Sequence, residues 1–320
     1  DATTTPRLRA QALLERALLL RAKEARSGDA RLLSEAEHVL QEASATAGAP
    51  TEPLALTVAL ARCDVGSELA LRSDDVQSLE QVVARCQAVP EYRSRSGNAE
   101  AESLRSKGLA LGRLAVARGD TAMLARAVEQ LERAIEAFDR IEGERAGAKV
   151  RADYAWALLQ LGRMSASLET ARKAVAISEQ TLGLIAKQTA PLQWGQMKQI
   201  HGLALLELGW KLRAGFQMAL AVSLYRQSRA AFVDALGAVS KDDDPRRWGE
   251  LERWVGQTYL RESESALDAR QESTLFNQAL ATFQRASSVS RREDDPDAFA
   301  HTQLGIGATY LVRADHANLK

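Results

Sequence analysis

The chain has 320 residues, of which 46% are apolar, 26% are charged and 5% are aromatic, and this composition excludes a wholly disordered polymer. Its 42 basic and 42 acidic residues give a formal net charge of +0, so no overall basic field favours nucleic acid or an anionic membrane as a partner. The apolar runs are far shorter than the roughly 18 to 20 residues of a transmembrane helix, so we expect no membrane span.

The predicted elements are all helices, because only 20 glycine and 7 proline residues interrupt an alanine-rich chain. The turn signals between the helices of a pair are Ser27-Gly28-Asp29, Ser73-Asp74-Asp75, Gly119-Asp120 and Leu161-Gly162. In chain order, the predicted helix pairs span residues 6–47, 51–90, 98–141, 144–187, 191–239 and 245–291, and a single helix follows at 296–314. We therefore expect an all-α protein without an internal domain boundary.

One motif, P-x2-[WF]-x7-G-x2-[LY], recurs three times in the C-terminal third of the chain. Its copies are Pro191/Trp194/Gly202/Leu205, Pro245/Trp248/Gly256/Tyr259 and Pro296/Phe299/Gly307/Tyr310. In the last two copies Asp244 or Asp295 precedes the proline, which is typical of a helix N-cap followed by proline at the first helical position. The aromatic residue and the glycine lie on nearly the same helix face, eight residues apart, so this face is predicted to pack closely on another helix.

A second motif marks the second helix of each pair with a small residue, an aromatic or aliphatic residue four positions later and a small residue three positions after that. The copies begin at positions 36, 82, 127, 171, 221 and 279, and the clearest is Ala279/Phe283/Ala286. One amphipathic pair cannot bury its apolar stripe alone, whereas stacked pairs bury a continuous core. The spacing therefore predicts an array of repeated helix pairs.

Helix pairs with these two motifs resemble tetratricopeptide repeats (TPRs), and the Pro-x2-Trp opening is similar to bacterial tandem repeats of that kind. The resemblance covers most of the chain. The period exceeds the usual 34 residues of the family, and Lys198, Glu252 and Gln303 stand where the family has an aromatic residue four positions before the glycine. The resemblance implies an α-solenoid of about six elongated antiparallel pairs in one superhelical domain, 1–320, with the helix 296–314 as its C-terminal cap.

The resemblance also implies where a partner binds, because the first helices of TPR pairs line a concave groove. Groove positions lie six and three residues before the motif glycine and one, four and five residues after it, counted from Gly108 in the pair 98–141 and from Gly202 and Gly256 in the later pairs. Eight polar residues at such positions are the candidate partner-binding residues: Arg105, Arg113, Gln196, Gln199, Glu207, Arg253, Gln257 and Arg261. The alternative for each of them is a solvated helix face without a ligand.

Residues of the kinds that carry catalysis or hold a metal do not cluster in the sequence. The four histidines, His38, His201, His301 and His316, have no partners at metal-ligand spacing, and neither a nucleophile elbow nor a P-loop lysine motif occurs. We therefore expect no catalytic residue, no metal site and no cofactor. The predicted function is a non-catalytic scaffold that binds a protein or peptide partner in a bacterial cell-envelope assembly. The alternative is a periplasmic helical-repeat protein that binds a small molecule or lipid and is associated with a transport system.

The two cysteines, Cys63 and Cys86, occupy packing positions of the repeat at similar distances from the turn at Ser73-Asp74. Antiparallel helices therefore bring them to similar height, and a disulfide can form if their Cα atoms come within about 7 Å. The alternative is two reduced thiols that pack as small hydrophobic side chains.

The polar start at Asp1 suits a chain from which a signal peptide has been removed, so we expect a periplasmic location, with the cytoplasm as the alternative.

Overall fold

The computed structural model describes residues 4–27, 29, 31–49, 51–72, 75–89, 98–142, 147–266, 268–293 and 295–318. Within these residues the chain forms thirteen α-helices and no β-strand. The helices are α1 (Thr4–Ser27), α2 (Arg31–Thr46), α3 (Pro53–Arg72), α4 (Val76–Ala88), α5 (Asn98–Arg118), α6 (Thr121–Glu142), α7 (Ala148–Ser165), α8 (Leu168–Leu184), α9 (Pro191–Ala214), α10 (Met218–Leu236), α11 (Pro245–Ser263), α12 (Ala269–Ser287) and α13 (Pro296–Asn318). The all-α fold class is confirmed, and the helices follow the predicted spans closely. Among the described helices, none carries the apolar stretch that spanning a bilayer requires.

The chain forms two compact units, which adjoin in sequence between Ser165 and Ala166. Unit 1 contains α1 as far as Ala25 and α2 to α7, and unit 2 contains α8 to α13 together with Arg26 and Ser27 at the end of α1. Within each unit, helices pack on their neighbours along the chain, and alternate helices such as α5 and α7 or α11 and α13 also touch. Sequential packing of this kind is what an α-solenoid predicts. The boundary divides the predicted pair 144–187, so one continuous superhelical domain over 1–320 stays a prediction.

Aspartate caps start the two helices for which the sequence predicted them. The carboxylates of Asp244 and Asp295 each accept a hydrogen bond from the backbone N–H three residues later, at 3.0 Å. Pro245 and Pro296 follow at the first helical position, where a missing N–H costs nothing. The predicted starts of α11 and α13 are therefore confirmed.

Of the four predicted turns, one is confirmed and one is wrong. Gly119-Asp120 separates α5 from α6, and Gly119 has a φ of +66°, which disfavours any residue with a side chain. Leu161-Gly162 lies inside α7, where Gly162 is buried and serves packing instead of a turn. The chain turns at Ala166 instead, with a φ of +53°. In the other two, Gly28, Ser73 and Asp74 lie outside the described residues.

The second motif supplies core residues in both units. Its members in α2, α6, α10 and α12 are completely buried: Ala36, Leu40, Ala43, Ala127, Leu131, Ala134, Ala221, Tyr225, Ser228, Ala279, Phe283 and Ala286. In α4 the first and middle members of the motif, Val82 and Cys86, are buried as well. In α8 the first and last members, Ala171 and Ser178, are buried. The predicted core-facing register of the second helices is therefore confirmed at these positions.

In unit 2, aromatic rings of second helices lie on glycines of first helices. A Cβ atom at the glycine would lie 2.7 Å from the ring for Phe232 on Gly202 and for Tyr225 on Gly209, and 3.0 Å for Phe283 on Gly256. Only a residue without a Cβ allows this approach. The predicted close packing at Gly202 and Gly256 is confirmed. The motif did not identify Phe232 as the ring on Gly202, because its aromatic member in α10 is Tyr225, which lies about two helical turns earlier and packs on Gly209.

The last helix, α13, covers the core of α11 and α12. A Cβ atom at Gly305 would lie 2.5 Å from the ring of Phe283, so α13 approaches α12 as closely as α11 does. Ile306, Ala308 and Val312 pack against the same cluster. This face of α13 therefore packs on the preceding pair as predicted, and its role as a terminal cap stays a prediction.

In unit 1, Cys63 on α3 and Cys86 on α4 are both buried and form a disulfide in the structure. Their Cα atoms are 5.5 Å apart, within the ordinary range for such bridges. The bridge joins two helices of one predicted pair. Its oxidation state in the protein's own compartment stays a prediction.

Replacement of Gly256 by leucine tests the close packing of α11 on α12. We expect Gly256→Leu to lower the free energy of unfolding by about 1 to 3 kcal/mol, because the new side chain meets the ring of Phe283. Gly307→Leu is the matched control, since it occupies the same motif position in α13, where a Cβ atom would meet nothing within 4 Å. That variant should be unchanged or up to about 1 kcal/mol more stable, through helix propensity alone. Urea denaturation measures both, and equal midpoints would contradict the packing.

Candidate functional site

Two candidate groove residues, Arg105 and Arg113, lie in a buried ion network of unit 1. The side chain of Arg105 is only 4% exposed, and its Nε, Nη1 and Nη2 atoms each lie 2.8 Å from a carboxylate oxygen. The three carboxylates belong to Glu102, Asp153 and Asp64. Since these residues lie on α5, α7 and α3, one guanidinium group links three helices.

The network continues through Glu68 on α3. Arg21, on α1, donates two hydrogen bonds to its carboxylate, at 2.5 and 2.9 Å, and also reaches Asp64 at 3.3 Å. Arg113 lies 3.1 Å from the same Glu68 carboxylate and donates to the hydroxyl of Ser67 at 2.5 Å. Arg113 is therefore held by α3 in the same way as Arg105, and both arginines have a structural role. That either of them also contacts a partner stays a prediction.

The arginines keep the buried carboxylates of α3 ionised. Burial alone would raise the pKa of Asp64, but the nearby guanidinium groups, led by that of Arg105, outweigh it and hold the pKa at about 2. The pKa of Glu68 is also lowered, because Arg21 and Arg113 outweigh the opposing effect of burial. Charge pairing in unit 1 is therefore a source of stability that depends on pH.

In unit 2, the helices α11, α12 and α13 line a cleft with a volume of about 420 Å³, here called the α11–α13 cleft. Three candidate groove residues line it from α11: Arg253, Gln257 and Arg261. The other lining residues are Trp254, Leu260, Glu264, Phe283, His301, Leu304, Gly305, Ala308 and Val312. The cleft thus combines an apolar floor with polar groups that come mostly from α11.

Arg253 is held beside the indole of Trp254, with its guanidinium carbon 4.9 Å from the ring centroid. Trp254 in turn stacks on Phe232, with the ring centroids 6.2 Å apart, and donates to Glu250 at 3.4 Å. Among the residues that the structure describes, no carboxylate lies within ion-pair distance of Arg253. Burial lowers the pKa of Arg253, and Glu250 and Asp295 offset only part of this effect. A further anion at this guanidinium would therefore be favourable.

Arg261 belongs to a second group, around Trp210 at the C-terminal end of α9. The guanidinium carbon of Arg261 lies 4.3 Å from the ring centroid of Trp210, and that of Arg213 lies 5.8 Å from it. Both arginines also pair with Glu264, at 2.8 and 2.7 Å respectively. Arg261 therefore already has a carboxylate partner within the chain, which it shares with Arg213, unlike Arg253.

The remaining candidates lie on α9. Gln199 donates to Glu250 of α11 at 2.9 Å, and Glu207 pairs with Lys211 one turn later at 3.2 Å. Gln196 is exposed. The structure thus brings Arg253, Gln257 and Arg261 together in one cleft, whereas the three α9 residues do not line that cleft.

Several contributors to the cleft were absent from the sequence prediction. Trp254 and Glu264 flank the predicted groove positions, and His301 and Leu304 come from the helix that was predicted to be a cap. The adjacent pair Arg253-Trp254 was a readable signal, because stacking of a cation on indole needs the two side chains to be close. The contribution of α13 was not readable, since it depends on how closely Gly305 approaches Phe283.

Potential metal ligands do not form a cluster in the described part of the chain. His201 contacts the hydroxyl of Ser178 at 2.9 Å, and burial lowers the pKa of this histidine. The Nδ1 atom of His301 lies 2.8 Å from the backbone carbonyl of Asp297. His201 and His301 thus have partners that suit structural roles.

Comparison with known proteins finds likeness in structure only. No protein-family model matches the chain, and no curated protein sequence matches it. The S. pombe nuclear import adaptor Nro1 is similar in structure, with a TM-score of 0.51 and 11% sequence identity over 93% of this chain and 99% of that chain. BtubC from P. vanneervenii has a TM-score of 0.43 and 14% identity over 87% and 93% of the two chains. A circular tandem repeat protein has a TM-score of 0.35 and 16% identity over 95% and 77%. At these identities the likeness concerns the fold, and the chain is an all-α helical-repeat protein.

Acid should weaken unit 1, because Asp64 has a lower pKa in the folded state than its ordinary value of 3.8. Its contribution, about 2 kcal/mol, is complete above pH 4 and is lost as the pH falls toward 2. Asp64→Asn should therefore be less stable at pH 7 and lose less stability between pH 4 and pH 2. Urea denaturation combined with hydrogen exchange of the α3 and α5 amides measures this. The control is Asp242→Asn, in an exposed turn, and identical pH profiles for Asp64→Asn and the wild type would contradict the network.

Proposed function

We propose that the protein is a non-catalytic scaffold of the TPR type, which binds a protein or peptide segment in the α11–α13 cleft. The observation that carries the proposal is Arg253, a cation that lies beside Trp254 at an apolar cleft and has no carboxylate partner among the described residues. A half-buried guanidinium of this kind can form a strong charge-assisted hydrogen bond with an anion, because little water screens the pair. The predicted bound segment therefore carries a carboxylate next to apolar side chains.

The lining of the cleft supports a peptide occupant in two further ways. Leu260, Phe283 and Val312 supply an apolar floor, and Gln257 offers an amide that can pair with backbone groups. Nro1, which is similar to this chain in structure, is a nuclear import adaptor, and an adaptor role for this chain would agree with such a cleft. The family resemblance supports the same interpretation, because first helices of TPR pairs carry the binding residues.

Photocrosslinking from the cleft tests the proposal in cells of the source organism. A benzoylphenylalanine residue at position 257 should form an adduct with a defined protein, which mass spectrometry identifies. Arg253→Glu should reduce the adduct at least about tenfold, because it removes the anion site and places a like charge beside the ligand carboxylate. Arg253→Glu should also lower the free energy of unfolding by about 1 kcal/mol, because the contact with Trp254 is lost and a carboxylate is added near Glu250, so adducts are compared at equal amounts of folded protein.

Two controls keep this experiment specific. Arg270→Glu reverses an exposed arginine in the first turn of α12, outside the cleft, and should leave the adduct unchanged. A photoreactive residue at the exposed position 284 should give no comparable adduct. Arg261→Glu is a poor test, because it would bring two carboxylates together at Glu264. An adduct that survives Arg253→Glu would contradict the proposed site.

The volume of the cleft favours a second candidate, a small-molecule or lipid-binding protein associated with a transport system. About 420 Å³ lies within the range of roughly 300 to 1,000 Å³ that is typical of small-ligand sites. Native mass spectrometry of the protein purified from its source organism distinguishes the two. A small ligand that stays bound under native conditions and leaves on denaturation would replace the peptide proposal.

We further propose that the protein acts in the periplasm, in a bacterial cell-envelope assembly, with the cytoplasm as the alternative. The Cys63–Cys86 disulfide supports an oxidising compartment, because such bridges are rare where thiols are kept reduced.

The bridge closes 23 residues and should contribute on the order of 3 kcal/mol, so reduction should lower the melting temperature. Thiol counting on denatured protein from the source organism should find no free thiol. Two free thiols would contradict the periplasmic proposal.

A further inference from the structure

The outer face of α13 is apolar and exposed. Its members are Ala300, Leu304, Gly307, Tyr310, Leu311 and Ala314, which lie on the side of α13 opposite to its buried residues. The three large side chains are 69%, 53% and 67% exposed for Leu304, Tyr310 and Leu311 respectively. Single exposed apolar residues are ordinary, but a continuous apolar helix face is typical of an interaction surface.

The same face is covered in the two preceding copies of the repeat. Leu311 occupies the motif position of Leu206 in α9 and Leu260 in α11, which are 8% and 2% exposed. Leu206 packs with Tyr225 of α10, and Leu260 packs with Phe283 of α12. One sequence pattern thus forms a buried helix–helix interface twice and an open face once within unit 2.

Gly307, at the centre of the outer face, indicates which kind of side chain would fit on this face. Gly202 and Gly256 each lie under an aromatic ring, whereas a Cβ atom at Gly307 would meet nothing within 4 Å. Since glycine lowers helix stability by up to about 1 kcal/mol relative to alanine, its presence at a bare surface position has no stabilising role within α13. At Gly202 and Gly256 the same residue makes room for a ring.

We propose that the outer face of α13 docks an amphipathic helix of a partner protein, which places an aromatic side chain on Gly307. The docking helix carries small residues four positions before and three positions after the ring, as α12 does at Ala279, Phe283 and Ala286. Continuity with the α9–α10 and α11–α12 interfaces supports this occupant. This surface is distinct from the α11–α13 cleft, with which it shares only Leu304.

The polar residue Gln303, beside the outer face, is compatible with such a docking helix. Gln303 stands where Lys198 pairs with Asp234 at 2.7 Å and where Glu252 pairs with Arg285 at 2.8 Å. A neutral amide can accept from or donate to either kind of side chain, so it demands no particular charge of the docking helix. A second copy of α13 fits less well, because symmetric pairing brings glycine to glycine and supplies no ring for the space above Gly307.

A peptide with the sequence of α12 tests the proposal, because α12 covers the equivalent face of α11. The probe is a fluorescently labelled peptide of residues 268–290, and fluorescence polarisation measures its binding to the full chain. Binding should weaken at least about tenfold when the peptide carries Phe283→Ala, a change that removes the ring and improves helix propensity. It should weaken by a similar factor when the protein carries Gly307→Leu, which fills the space of the ring.

The matched protein control is Gly183→Leu, since Gly183 is an exposed helical glycine of α8 with nothing within 4 Å of a Cβ atom. This variant and Arg253→Glu should bind the peptide as the wild type does, so failure of the cleft proposal leaves this test intact. Absence of peptide binding, or undiminished binding by Gly307→Leu, would overturn the proposal. It would also be overturned if sedimentation finds a wild-type dimer that Gly307→Leu converts to monomer, since the occupant would then be a second copy.

Discussion

The close approach of helices at residues without a side chain organises unit 2. The ring of Phe283 lies within reach of two glycines, because a Cβ atom would be 3.0 Å from it at Gly256 and 2.5 Å at Gly305. One aromatic side chain therefore sets how closely both α11 and α13 approach α12. The same ring lines the α11–α13 cleft, so the packing that holds the three helices together also determines the depth of the candidate binding site.

Unit 1 uses a different interaction for the same purpose. Its odd-numbered helices are joined by guanidinium groups that lie between carboxylates, with Arg105 at the centre. Such pairs offset the cost of removing charges from water only where geometry and hydrogen bonding are good. Arg105 achieves this at Asp64, whose pKa is lowered, whereas at Asp153 burial outweighs the same guanidinium and raises the pKa. Pairing of this kind contributes less net stability than apolar packing but is selective, because a shifted helix would leave a buried charge without its partner.

The repeat pattern was sufficient to predict the fold class, the order of the helices and the core positions of the second helices. These features follow from local propensity and from spacing along one chain, which a sequence displays directly. The site was predicted less completely. Arg253, Gln257 and Arg261 were identified by their register, but the same rule selected Arg105, whose surroundings are set by carboxylates from other helices. Ion pairs between residues more than 40 positions apart leave no local pattern to recognise.

The misplaced turn has a similar explanation. Glycine at position 162 was interpreted as punctuation, although a glycine also serves where helices pack closely, and the chain reverses instead at Ala166 with a positive φ. Likewise the outer face of α13 was not recognised as unusual, because its residues match those of α9 and α11. The exposure of Leu311 beside the burial of Leu260, and the open space at Gly307, distinguish the copies in the structure.

The shared carboxylates of unit 1 have a consequence for how this sequence can diverge. Loss of Arg105 alone would leave Asp64 and two further carboxylates in one place with too few cations, and loss of Asp64 alone would bring Arg105 and Arg21 together without their common partner. Each single substitution is therefore more harmful than replacement of the whole set by apolar residues of similar volume. Homologous chains should keep these positions as a group or exchange them as a group, so that α1, α3, α5 and α7 co-vary although they are far apart in sequence.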